Sequence, residues 1–403
     1  MDLYGIVHPG MEHIAQQELR EKWGISSEQA LGVVAFSLPV EKIGNFLFFS
    51  QSLRGLFLAL GRASRWEDLS LSSFSWKTLP VQAYALELEH IKGEVRQKVS
   101  QKVSALLRQA WKEQGVKGKL EYPAAGASLV VHFTGKEYLM GLDLAGRELH
   151  KRSYRVFPHA AGFTGDIAYA LVRKSGFVPG ERMAVGFVKD GSLAIEAALF
   201  AHHLPIFPQG IVFPAQQFFP AANTSSSASL SSSASSFSPF LSPEGKEKKW
   251  QEVQGETAEE SCAEDSGKNI YAFDPSRQNI IAARKNAKIA GVADLVELQR
   301  YALDELDLKW GENAFHCFLT HLTTKDEDAL NEIFYQAKYL LRPGGRLLLV
   351  TRKALELSLP LEFSLLLREE LARGESVQQI WVIEKKVLEK VKITKSKSSR
   401  EEA

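Results

Sequence analysis

Apolar positions along the chain follow two periods, one of about two residues and one of about four, and they alternate. "LYGIVH" and "GVVAFSL" read as short strands. Between them, after the Pro9-Gly10 turn, Met11, Ile14, Ala15, Leu19 and Trp23 fall at helical spacing. A second helix is expected to carry Phe46, Phe49, Leu53, Leu56 and Leu60 on its apolar side. "VQAYALEL" reads as a strand, and Val95, Val99, Val103, Leu106 and Ala110 mark one face of a long helix. "SLVVHF" and "YLMGLDL" are strands about a turn at Gly135. This order predicts small α+β modules.

After Phe163 the rhythm changes. "DIAYALVRKSG" reads as a helix, "RMAVGFV" as a strand and "SLAIEAALFA" as a helix. "NIYAF" is a strand, "RQNIIAARKNAKIAG" a helix closed by Gly291, and "VELQRYA" and "AFHCFLT" are strands. "EDALNEIFYQAKYLL" is a helix, and "RLLLVT" follows the turn Arg342-Pro343-Gly344-Gly345. Strands alternating with helices in this way predict an α/β fold with a doubly wound, mainly parallel sheet.

One stretch interrupts the pattern. "TSSSASLSSSASSFSP" and the charged run "EGKEKKWQEVQGETAEESCAEDSGK" bury too little apolar surface to offset chain entropy. Residues 215–268 are therefore expected to be a disordered insertion within a domain, because the α/β pattern resumes beyond it. "KITKSKSSREEA", within residues 391–403, is expected to be a basic tail.

Composition narrows the classes. Hydrophobic residues make up 45% and charged residues 24%, as in ordinary globular proteins, and a formal net charge of +1 singles out no partner. Two cysteines are too few for a disulfide framework or a cysteine-built zinc site, which fits a reducing cytoplasm. The first residues read as neither signal peptide nor membrane anchor, so no membrane partner is expected; no metal is expected either, because no Cys-His or paired-carboxylate motif is read. Charge does cluster locally. From Lys92 to Arg155 there are thirteen Lys or Arg against six Asp or Glu. Lys98, Lys102, Lys151, Arg152 and Arg155 are the candidate phosphate contacts.

The stretch "GLDLAGRELHKRSYRVFPHAA" resembles the junction, in a family of RNA methyltransferases, between an RNA-binding THUMP domain and a class I methyltransferase domain. Asp143, Gly146, Leu149, His150, Lys151, Arg152, Tyr154 and Arg155 carry the match, and Ser153 stands where the family has glycine. "HPGMEHIAQQELRE", "DIAYALVRKSGFVPGERM" and "FDPSRQNIIAARKNAKIAGV" are similar to further family segments. The resemblance implies a ferredoxin-like region at 1–75, a THUMP module at 76–155 and a Rossmann-like methyltransferase domain at 156–214 and 269–390. It also implies S-adenosylmethionine as cofactor and guanine-N2 of ribosomal or transfer RNA as target.

The cofactor motifs match unevenly. Against the family's Asp-Pro-x-Cys-Gly-Ser-Gly-Thr, this chain has Val185, Gly186, Val188, Lys189, Asp190, Gly191 and Ser192. Ile195, Glu196, Ala197 and Ala198 match the helix beyond. Gly191, Ser192 and Asp274 are the candidate cofactor residues. Asp274 fits a ribose acceptor, a helix N-cap before Pro275, or both. At the adenine position stand Tyr301 or Ala302, with Asp304 late. At the target-base position, His321, Leu322, Thr323 and Thr324 replace Asn-Pro-Pro-Tyr. His321 reads as a solvated loop histidine, and no catalytic residue is assigned. Two readings follow. One is an RNA-binding protein with methyl transfer impaired or lost, working with an active methyltransferase or in ribosome assembly. The other is an active RNA methyltransferase with an altered cofactor loop.

Overall fold

A computed structural model describes residues 1–121, 126–208, 210–223, 268–323, 326–352, 356–374 and 376–387. Among these residues the chain builds two mixed sheets. The first contains β1 (Asp2–Val7), β2 (Glu28–Ala30), β3 (Val33–Ser37), β4 (Leu53–Ala63), β5 (Ala83–Glu89), β6 (Lys119–Leu120), β7 (Ala127–Phe133) and β8 (Tyr138–Asp143). Their order is β2-β3-β1-β4-β8-β7-β5-β6. The strands of the first sixty residues and those after residue 80 thus share one sheet, joined where β4 pairs antiparallel with β8.

Helices α1 (Glu12–Trp23), α2 (Val40–Phe49) and α3 (Gly93–Gln114) serve this sheet. The expected helix through Leu60 ends at Phe49, and Leu53, Leu56 and Leu60 lie in β4. The buried Glu18 carboxylate explains the break. It accepts hydrogen bonds from Gln51 N at 2.8 Å and Ser52 N at 2.9 Å, which holds the chain extended there. "LFLAL" is then buried on both faces of a central strand, where periodicity cannot tell a strand from a helix. The buried stripe of α3 is Val99, Val103, Leu107 and Trp111; Val95 is exposed, and Leu106 and Ala110 are only half-buried.

The second sheet contains β9 (Met183–Gly186), β10 (Ile270–Phe273), β11 (Val296–Gln299), β12 (Phe315–His321), β13 (Leu341–Arg352), β14 (Phe363–Arg373) and β15 (Ser376–Lys385). The order is β11-β10-β9-β12-β13-β15-β14. The five strands from β11 to β13 run parallel, and β15 and β14 close the edge antiparallel. Helices α4 (Gly165–Lys174), α5 (Ser192–Ala201), α6 (Pro214–Phe218), α7 (Arg277–Ile289) and α8 (Glu327–Leu340) accompany it. No helix among the described residues is long and apolar enough to cross a membrane.

The expected insertion starts too early. Residues 215–223 are ordered in α6 and a short helical turn, with Ala215, Phe218 and Ala222 buried. The backbone carbonyl of Ala222 lies so close to Gly44 of α2 that a Cβ there would sit 2.5 Å from it. The rest of the expected insertion through residue 267, and the expected tail, lie outside the described residues.

Candidate functional site

Strands β10, β9 and β12 end side by side, with Gly186 paired to Phe273 on one side and Thr320 on the other. Strand order reverses here, and in open α/β sheets ligands bind outside the carboxyl ends at such a point. Lys189, Asp274 and His321 meet at this place, and all three are buried.

The turn from β9 into α5 keeps a glycine-like path. Phe187, Lys189 and Gly191 have φ of 50°, 55° and 86°. For the two residues with side chains this conformation costs on the order of 1–3 kcal/mol each. What holds the turn is hydrogen bonding. Val188 N donates to Phe273 O at 3.1 Å, and Gly191 N to Val188 O at 2.9 Å. Lys189 N donates to Asp274 Oδ2 at 3.0 Å.

Asp274 therefore faces inward. Beyond Lys189 N, its oxygens accept from Ser276 N at 2.9 Å and from the Asn279 amide at 3.0 Å each. The N-cap of α7 is Ser276, whose side chain accepts from Asn279 N, and not Asp274. Gly191 comes within 3.1 Å of Ala283, measured to an ideal Cβ, so a side chain there would press on α7. Ser192 is spent on Asp190, donating to it through both N and Oγ.

The Lys189 side chain runs to the end of β12. Its Nζ lies 2.7 Å from His321 Nδ1 and 3.0 Å from His321 O. Burial pushes the ammonium down to about 7, with Asp274 partly opposing and Arg373 adding to the drop. Burial first, then Lys189 and Arg373, push His321 down to about 2. The imidazole is thus neutral, with Nδ1 turned towards Lys189 Nζ and Nε2 towards the Gln378 amide. It packs on Phe163 at 4.7 Å between centroids. His321 is no solvated loop residue, because it is the last residue of a buried strand. A side chain already hydrogen-bonded, stacked and this weakly basic is a poor general base near neutral pH.

The remaining positions follow. Leu322 is buried and Thr324 lies outside the described residues. Tyr301 packs against Trp310 at 5.9 Å, and Asp304 sits in a helical turn beyond β11.

The basic candidates divide. Arg152 is fully buried: its Nε meets Glu196 Oε1 at 2.8 Å, and Tyr154 and Gln51 donate to the same carboxylate. It has no exposed face to offer a phosphate, which corrects the expectation. Arg155 binds Asp190 Oδ2 at 2.8 Å with its side chain 21% exposed. Lys151 is exposed and pairs with Glu148. Lys98 is exposed and Lys102 half-buried, one turn apart on α3. Charge counting finds such residues but cannot separate solvated side chains from those drawn to a buried acid; the signal for Arg152 is the Glu196 that the resemblance also marks.

A family model described as RMKL-like, methyltransferase domain, matches residues 152–358. The chain belongs to that family. The matched segment begins at Arg152 and takes in Lys189, Asp274 and His321. Over most of its length the chain also shares its fold with solved structures. One is TrmN from Thermus thermophilus, at 20% identity and TM-score 0.63, covering 95% of this chain and 99% of the other. Another is SMU.472, a putative methyltransferase complexed with SAH, at 15% identity and TM-score 0.64, covering 96% and 99%. A third is a predicted N6-adenine-specific DNA methylase from Listeria monocytogenes, at 16% identity and TM-score 0.63, covering 94% and 95%.

Proposed function

We propose that this member of the methyltransferase family binds ribosomal or transfer RNA and has lost methyl transfer. One observation carries the reading: Lys189 occupies both key positions at once. Its backbone N–H takes Asp274, the acid a cofactor ribose would need, and its ammonium takes His321, at the position that would hold a target amine. S-adenosylmethionine would have to displace a lysine and break hydrogen bonds at a site with no compensating acid on β9, where Val185 stands. Each charge-assisted bond forgone is worth about 1.5–3 kcal/mol, and about 1.4 kcal/mol is tenfold in affinity.

In this reading the first sheet comprises a ferredoxin-like region (1–75) and a THUMP module (76–155). The second belongs to a doubly wound, Rossmann-like domain once suited to guanine-N2 chemistry. Lys98, Lys102 and Lys151 bind phosphate, and a partner supplies activity or the setting of ribosome assembly, in the cytoplasm.

The test is calorimetry with S-adenosylmethionine beside methyl incorporation into unmodified ribosomal and transfer RNA. The expected result is no saturable cofactor binding at micromolar concentration and no incorporation. RNA binding should persist, and in K98A/K102A/K151A its salt dependence should flatten by about one unit of slope for each phosphate that no longer meets a lysine. Micromolar cofactor binding with incorporation abolished in D274A would overturn the reading in favour of an active enzyme.

A further inference from the structure

The outer face of the first sheet carries a second group of chemistry-bearing side chains. Glu89 is the last residue of β5 and is paired in register with His132 on the parallel strand β7. Residues paired in this way present their side chains on the same face, and His132 Nδ1 lies 3.0 Å from Glu89 Oε2. His90 follows directly, and an extended backbone would turn it to the opposite face. Its φ of 59° reverses that direction. The His90 ring stands edge-on to the His132 ring, with centroids 5.0 Å apart. One ligand atom from each of Glu89, His90 and His132 can be chosen so that all lie within 4.8 Å of one another.

We propose that Glu89, His90 and His132 form a binding site for a divalent transition-metal ion, zinc first, with one coordination position left open. Two imidazoles and a carboxylate suit zinc, which holds nitrogen ligands at about 2.0–2.1 Å, so that tetrahedral neighbours stand about 3.3 Å apart. The His132–Glu89 spacing is already close to that. His90 and Glu89 are exposed, so their side chains can close the remaining distance, while buried His132 fixes the floor of the site. The surroundings favour a cation. Asp143, on the neighbouring β8, has its carboxyl pushed up to about 6, first by burial and then in part by the negative charges of Glu87 and Glu89. The site is separate from the strand ends that hold Lys189 and does not rest on the reading given there.

The full-length chain, stripped with EDTA and dialysed, is titrated with Zn²⁺ alone by calorimetry and with Co²⁺ alone by visible absorption. The expected result is saturable uptake of one ion per chain, with Co²⁺ bands of a four-coordinate site. H90A and E89Q, both at exposed positions that leave the sheet intact, should each weaken uptake by at least the roughly 10–100-fold that loss of an outer-shell partner costs. A chain that takes up neither ion, or one whose uptake both substitutions leave unchanged, overturns the proposal.

Discussion

Two buried polar clusters flank the start of α5, and they treat charge in opposite ways. In one, Arg152 faces Glu196. Burial works against its guanidinium, yet the nearby carboxylate holds it above its ordinary range. Tyr154, Gln51 and the carbonyls of Leu149 and Gln51 satisfy the remaining polar atoms. In the other, Lys189 has no carboxylate within ion-pair distance among the described residues and meets a neutral imidazole. A buried charge keeps its charge when it is paired, and gives up its proton more readily when it is not. The first cluster ties the loop after α2, in the N-terminal half, to the methyltransferase domain. The second lies at the carboxyl ends of β9, β10 and β12.

Breaking the paired cluster should have the largest effect. E196Q leaves Arg152 buried without its counter-charge and should cost about 3–5 kcal/mol, read from the urea midpoint. Next comes K189M. The ammonium titrates at about 7 in the folded chain against an ordinary 10.5. Between these values the unfolded chain holds a proton the folded chain lacks, so this group makes stability rise with pH across that window. K189M removes the slope: it should stabilise by on the order of 1–3 kcal/mol near pH 7, with the gain fading towards pH 10. Equal gains at both pH values would show that Lys189 is not the titrating group. The smallest effect belongs to R155Q, whose pair with Asp190 is partly solvated and should cost about 1 kcal/mol. A loss as large as that from E196Q would merge the two clusters into one network.

Much of the parallel sheet was legible in the sequence, because β9 to β12 are short apolar runs that alternate with helices, one of them, α5, buried almost all round. The edge hairpin β14–β15 was not read: "LLLREELARG" has the composition of a helix, and only pairing across the Gly374 turn makes it a strand. The same limit hid β4. At the site, position alone marked Lys189 as standing where the family has a glycine. It did not foretell where the side chain goes, because the contact with His321 joins residues 132 apart in the chain. Nor could a count of basic residues reveal that Arg152 is turned away from solvent.

The pairing of β4 with β8 bears on how the chain is made. Arg62 stands opposite Leu139, with β5, α3, β6 and β7 in between. During synthesis the first four strands emerge with one long side of β4 unpaired, and they stay so until β8 has left the ribosome. At about 5–20 residues per second that wait lasts several seconds. An apolar strand edge exposed for so long is a target for aggregation and for chaperones that hold nascent chains. Slowing translation between residues 63 and 138 should therefore lower soluble yield, whereas the same pause after residue 143 should not.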